Sequence, residues 1–356
     1  MAKYLRVACL AVVAAVIVYT FGFSDLGRSE YDAAASSTPK MLTSAVPPLD
    51  TADYDARMLA LAHVHLSRTT AATSTGAVAS TTLRRWPVKT VYPNAGAILP
   101  FKRVVAYYGN FYSKGMGVLG EYPQDQMLQM LKNASADWAA ADPSTPVVPA
   151  IQYIAVVAQG SPGKEGKYIL RMPDDQIDLA IHMAAQVNGI VILDVQVGQS
   201  TLQHELPMLD NYLKMPQVHL AIDPEFSMKY GNPPGRVIGT FDAADINYAA
   251  QHLAAIVRAN NLPPKILIVH RFTEDMVTNY RRIQPLPEVQ IVMDQDGWGT
   301  QAKKIGTYTN VIAAEPVQFT GMKLFYKNDV KPPSTGMLSM AQILGLTPAP
   351  IYIQYQ

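Results

Sequence analysis

The chain has 356 residues, is 49% hydrophobic and 16% charged, and carries a formal net charge of +1 without a long basic run, so composition gives no support for a nucleic-acid partner. Its one cysteine, Cys9, lies in an N-terminal apolar stretch, which excludes an internal disulfide and a thiolate metal cluster in the body. The apolar fraction suffices for one large core, and α/β barrels take about 250 residues as a single unit.

Lys3 and Arg6 precede an apolar run from Val7 to Phe23, and Asp25 follows it. Positive charge before the run favours a cytoplasmic N-terminus with the body outside. The run is short for a span of about 20 residues, so an uncleaved membrane anchor is the favoured reading and a cleaved signal peptide the alternative. Either way the body is expected to be exported. The expected organisation is a signal anchor or signal peptide over 1–24, a Ser/Thr/Ala/Pro-rich stalk over 25–95, and the barrel over 96–356. A short amphipathic helix from Tyr54 to Leu66 is predicted within the stalk.

From Lys102 onward, apolar runs alternate with amphipathic segments, the signature of βα units. Eight strands are predicted: Val104–Tyr108, Val147–Val157, Ile190–Val195, Val218–Ile222, Ile266–Val269, Val289–Met293, Gly321–Phe325 and Ile351–Tyr355. Helices are predicted near Gln124–Leu131, Asp174–Val187, Thr201–Leu213, Ala243–Asn261, Thr273–Arg282, Gln301–Ala314 and Thr335–Leu344. The runs are apolar at both parities, as in strands buried on two faces. Eight strands with seven intervening helices fit a closed (β/α)8, TIM-type barrel better than an open sheet. No Gly-rich phosphate loop follows the first strand, and no cofactor is expected.

In such barrels the active site lies at the C-terminal ends of the strands. Polar and aromatic residues gather where the apolar runs stop: Tyr107 and Tyr108, then Asp194 and Gln196, then Asp223 and Glu225. Further along the chain come His270 and Arg271, then Asp294, Asp296 and Trp298, then Lys323 and Tyr326, and finally Gln354. One aspartate at a strand end usually caps the next helix; acids on three strands together with a His and a Lys point to a site. On an extended strand Asp223 and Glu225 face the same side, about 7 Å apart at two strand rises. Carboxyls that close repel, so one is expected to keep its proton at neutral pH and serve as a general acid. Asp194 and Asp294 are the candidates for the second carboxylate, and the aromatic residues offer flat faces for sugar rings. A glycoside hydrolase acting on a cell-wall or extracellular polysaccharide is the leading expectation.

The opening Val104-Val105-Ala106-Tyr107-Tyr108-Gly109 and the Asp223-Pro224-Glu225 motif resemble the chitinase-like and lysozyme-like glycosidase barrels. That resemblance implies Glu225 as proton donor and Asp223 as its helper. The chain departs from the chitinase pattern, because Val218 to Ile222 holds no acid. Lys323 stands where the largest glycosidase clan places a nucleophilic Glu, which excludes that clan. Over the whole barrel the chain is more similar to a family of uncharacterised exported bacterial barrel proteins, through Ile222-Asp223-Pro224-Glu225-Phe226, Val269-His270-Arg271-Phe272, Met293-Asp294-Gln295-Asp296-Gly297-Trp298-Gly299, Lys323-Leu324-Phe325-Tyr326-Lys327 and Tyr352-Ile353-Gln354-Tyr355-Gln356.

Two other classes compete. Asp194, Asp223, Glu225, His270 and Asp294 are the residues able to ring a divalent ion in a metal-dependent hydrolase, but they lack His-x-His or His-Glu-x-x-His spacing, so no metal ligand is assigned. A tethered, non-catalytic carbohydrate-binding or structural module would explain the stalk and the incomplete glycosidase motif.

Overall fold

The computed structural model describes residues 47–64 and 85–356. The apolar run 7–23 and most of the stalk lie outside the described residues, and among those described no helix is long and apolar enough to cross a membrane.

All eight predicted strands form: β1 (Arg103–Gly109), β2 (Val147–Ala158), β3 (Ile190–Val195), β4 (Val218–Ile222), β5 (Lys265–Arg271), β6 (Val289–Gln295), β7 (Phe319–Leu324) and β8 (Tyr352–Tyr355). Each pairs in parallel with the next, and β8 pairs with β1, so the sheet closes into a (β/α)8 barrel. A short strand, Ile169–Arg171, runs antiparallel along the C-terminal end of β2. The apolar runs read as strands because both faces are covered. Val105, Val191 and Leu267 pack outward against the helices, whereas Val104, Ile192 and Ile268 fill the barrel interior.

The lower, N-terminal half of that interior is apolar and stoppered. Leu99 and the helix Thr51–Leu61 close it, with Tyr54 and Met58, one turn apart, buried against it. Asp50 caps this helix by accepting from the N–H groups of Ala52 and Asp53. Gln290 points inward from β6 and ties the plug in place. Its carbonyl oxygen accepts from Ile98 and Leu99 N–H at 3.0 and 3.1 Å, and its amide donates to Leu99 O at 2.5 Å.

Among the long outer helices, Gln124–Ala141 runs well past the predicted end at Leu131, whereas Asp174–Ala185 and Ala243–Asn260 stay close to their predicted bounds. Asp242 starts the last of these with a capping box shared with Asp245, and Asn261, in the left-handed region at φ 50°, ends it. The predicted helix Thr273–Arg282 is not there. Its place is taken by two 3-10 turns, Glu274–Met276 and Tyr280–Arg282, around the two-residue strand Val277–Thr278, which pairs with Phe241–Asp242. The reason is competition for backbone groups. The Arg271 guanidinium takes the carbonyls of Thr273, Glu274 and Val277 at 3.1, 2.7 and 3.3 Å, which a helix would need for its own N–H groups. Asn279, at φ 57°, then breaks the right-handed path. The other predicted helices are shortened: Thr201–Leu213 alternates α and 3-10 turns, Gln301–Thr307 runs into a π-turn over Tyr308–Ile312, and Thr335–Leu344 reduces to Met340–Leu344.

Candidate functional site at the C-terminal end of the barrel

Alternation along the strands brings a polar or phenolic side chain inward from every barrel strand, toward the C-terminal end on most and at mid-strand on β2. They are Tyr108, Gln152, Asp194, Asp223, His270, Asp294, Lys323 and Gln354, in the order β1 to β8, with Asp223 just past the end of β4. All eight are buried, so their charges find partners in one another and in Asp296.

The lower tier is a relay of contacts. Asp194 Oδ2 accepts from Gln152 Nε2 at 2.6 Å and lies 2.8 Å from His270 Nε2. The other imidazole nitrogen, Nδ1, lies 3.2 Å from Asp296 Oδ2 and 3.5 Å from Asp294 Oδ2. Burial alone would depress the His270 pKa, but the Asp194 and Asp296 carboxylates outweigh it and hold it well above the ordinary value, so the ring is an imidazolium at neutral pH. The Tyr352 hydroxyl donates to Gln152 Oε1, and Gln354 Nε2 donates to that hydroxyl at 2.9 Å. Gly321 makes the room this tier needs. A β-carbon there would stand 2.5 Å from Asp294 Oδ1 and 2.7 Å from Tyr352 Cδ1. Gly321→Ala is therefore expected to destabilise the fold by about 1–3 kcal/mol through overpacking, seen as a lower urea midpoint; an unchanged midpoint would mean that the interior yields.

Above this tier opens a cleft of about 350 Å³, floored by Asp223, Glu225, Asp296 and Lys323 and walled by Tyr108, Gln196, Phe226, Phe272, Trp298 and Phe325. Lys323 Nζ sits 2.8 Å from Asp296 Oδ1 and 3.8 Å from the centroid of the Tyr108 ring. Asp223 and Glu225 both reach the cleft, but not as consecutive inward positions of one strand. Strand β4 stops at Ile222, Pro224 supplies no N–H, and Pro224–Phe226 forms a single 3-10 turn. Asp223 caps that turn, Oδ1 accepting from Glu225 N–H at 3.0 Å, while Oδ2 accepts from Gln196 Nε2 at 3.3 Å. Gly239 N–H donates to the Glu225 carbonyl at 2.7 Å, and a β-carbon on Gly239 would strike the carbonyls of Pro224, Ser227 and Glu225. The turn that carries Glu225 is thus clasped from behind.

The same burial acts differently on three neighbouring carboxyls. It pushes Asp223 up to about 7, with Asp296 and Asp194 adding repulsion against the opposing pull of His270 and Lys323. It pushes Glu225 up to about 8, with Asp223 as the next cause. At Asp296 burial also pushes upward, but the adjacent Lys323 and His270 overcome it and hold that carboxyl at about 2. A proton-holding acid and an ionised carboxylate therefore line one cleft.

The remaining predicted site residues fall elsewhere. Asp194, His270, Asp294 and Gln354 lie beneath the floor, within the buried tier. Tyr107 points outward, its hydroxyl 2.9 Å from that of Tyr326, whose ring stacks on Tyr355. Arg271 is an outward clamp, bound at 2.5 Å to Glu315 and to the carbonyls named above. Gln152 and Tyr352 belong to the network and were not singled out from the sequence, because each lies inside an apolar run. A lone polar side chain in such a run, at the parity of the strand-end acids, is the signal that marks Gln152. Among the described residues no group of three or more His, Cys, Asp or Glu side chains is arranged to hold a metal ion; His270 and Lys323 instead stand between the acids.

By its strand pairing and by the place of its cleft, the chain is a (β/α)8 barrel with a carboxyl-rich site at the C-terminal ends of its strands. No family model and no curated protein sequence matches it. Among solved structures it is similar to a cellulase, Cel5C_n, at 15% identity and a TM-score of 0.37, over 63% of this chain and 65% of that one. The match thus spans just under two thirds of the cellulase. It is also similar to a GH18 chitinase from Pseudoalteromonas aurantia, at 12% identity and a TM-score of 0.37 over 72% and 94% of the two chains. A third similarity is to cellulose synthase subunit Z from Clostridioides difficile, at 10% identity and a TM-score of 0.37 over 72% and 91%. These are distant likenesses, and the barrel assignment rests on the chain's own strand pairing.

Proposed function

We propose that the chain is an exported hydrolase that cleaves a glycosidic bond of a cell-wall or extracellular polysaccharide in this cleft, with Glu225 as the proton donor. The observation that carries the reading is the pairing, in one cleft, of a carboxyl that keeps its proton to about pH 8 with a carboxylate held at about 2. Glu225 gives its proton to the leaving glycosidic oxygen as the C–O bond breaks. The ionised Asp296 supplies negative charge toward the oxocarbenium-like sugar, in the role first expected of Asp194 or Asp294. Water adds to the sugar carbon and returns a proton, so each cleavage leaves one new reducing end. Asp223 assists by repelling an ionised Glu225, and Gln196 holds Asp223 in place. Export rests on Lys3, Arg6 and the apolar run that follows them.

The test is to incubate the full chain and its Glu225→Gln variant with a panel of bacterial and plant polysaccharides and count reducing ends. Ends released by the parent and not by the variant support the hydrolase. Silence from the parent with retained polysaccharide binding would replace it with a non-catalytic binding module.

A further inference from the structure

We propose that this cleft takes a glycan bearing carboxylate groups, and that Lys303 and Lys331, gathered on Trp298 at the rim, recognise them. The inference rests on the glycan-cleaving reading above and adds the charge of the substrate to it.

Trp298 follows β6 in the loop that enters the helix Gln301–Thr307, lines the cleft and is 50% exposed. Its ring is not a bare apolar platform. Lys303 Nζ lies 5.2 Å from the ring centroid and Lys331 Nζ 6.0 Å from it. A neutral sugar stacking on that ring would have to compete with ammonium groups for the π face. Lys303 is held there by its stem. Gly299 has φ +147°, and a β-carbon at that position would stand 2.7 Å from Lys303 Cδ, so the glycine leaves the notch in which the lysine lies.

Charge pairing separates these two lysines from their neighbours. Lys304 has Asp329 at 3.1 Å, Lys323 has Asp296 at 2.8 Å and Lys327 has Glu121 at 2.5 Å. Among the described residues neither Lys303 nor Lys331 has a carboxylate within 4.0 Å. An ammonium group with no carboxylate partner among the described residues, held beside an exposed ring that lines the cleft, is free to pair with a ligand carboxylate entering there, and a second one beside the same ring adds to the attraction. Deeper in the cleft Lys323 is already paired with Asp296, so the cleft-lining ammonium left without a carboxylate partner among the described residues is that of Lys303, with Lys331 beside it at Trp298.

The test measures binding by calorimetry to the full chain carrying Glu225→Gln, so that hydrolysis does not consume the ligand. The ligands are acidic oligosaccharides of three skeletons (galacturonate, guluronate and glucuronate-containing hyaluronan), each beside its methyl ester, which keeps the skeleton and removes the charge. At least one acid is expected to bind about tenfold tighter than its ester, and Lys303→Gln with Lys331→Gln is expected to erase that preference, as is raised salt. Equal binding of acid and ester, a preference that survives the double substitution, or no binding of any acid would overturn the inference. The parent chain, assayed for reducing ends on the same ligands, separates the two readings. Charge-dependent binding without cleavage ends the hydrolase and keeps the anion-reading rim. Cleavage of neutral glycans without charge preference does the reverse.

Discussion

Glu225→Gln is expected to lower kcat by about 10²–10⁴-fold while ligand affinity stays within a few-fold, because the amide keeps the shape of the carboxyl and loses only its transferable proton. The pH profile gives the assignment a second, independent reading. Turnover by the parent is expected to fall as pH rises through about 7 to 8, where Asp223 and Glu225 lose their protons. Asp223→Asn removes the repulsion that is the second cause of the high Glu225 pKa, so the alkaline limb should move to lower pH. Stability carries the same sign information. Both carboxyls have folded-state values raised above ordinary values of about 3.9 and 4.3, so the folded chain binds more protons than the unfolded one between about pH 4 and pH 8. Their contribution is fully present below that interval and is lost as pH rises through about 7 to 8. Glu225→Gln and Asp223→Asn should each raise the urea midpoint at about pH 8 relative to the parent, the trade of stability for activity found at active sites. Variants that turn over normally and gain no stability would remove both residues from the catalytic role.

Lys323→Met is expected to cost about 3–5 kcal/mol of stability near neutral pH, because it leaves the Asp296 carboxylate buried beside a network built around the missing ammonium. Methionine keeps the apolar stem against Tyr108 and removes the charge that sits 3.8 Å from that ring. Asp296 is the group through which pH acts here. In the parent its folded pKa, about 2, is below its unfolded value, so it stabilises above about pH 4 and that contribution is lost as pH falls through about 2. In the variant Asp296 protonates more readily, so the gap between parent and variant should narrow in acid. Lys323→Met together with Asp296→Leu should recover part of the loss, since two apolar side chains leave no orphaned charge. Urea unfolding of the three chains at two pH values measures all of this. A cost under about 1 kcal/mol would mean that the pair behaves like a solvent-exposed ion pair.

Much of this molecule was legible in its residues. Val218–Ile222 and Ile190–Val195 begin and end where their apolar runs do, since a strand covered on both faces has only its polar ends to mark it. Glu225, Asp223, Tyr108, Gln196, Asp296, Trp298 and Lys323 stand at those ends and line one cleft. Tyr107 and Arg271 stand at strand ends too, yet point away. In a run that is apolar at both parities, nothing local says which neighbour faces the interior. The Thr273–Arg282 segment failed for a related reason: helical spacing is a local property, whereas Arg271 takes the carbonyls of that segment from outside it.

The sequence by itself determined the number and order of the barrel strands and the cluster of acids at their ends, because burial on two faces and the polarity of strand ends are written residue by residue. Tertiary structure alone decided the rest. Closure of β8 onto β1 chose the inward parity, buried His270 between Asp194 and Asp296, and set Lys323 against Asp296. Those contacts, between residues far apart in the chain, are what divide like carboxyls into one that keeps its proton and one that does not.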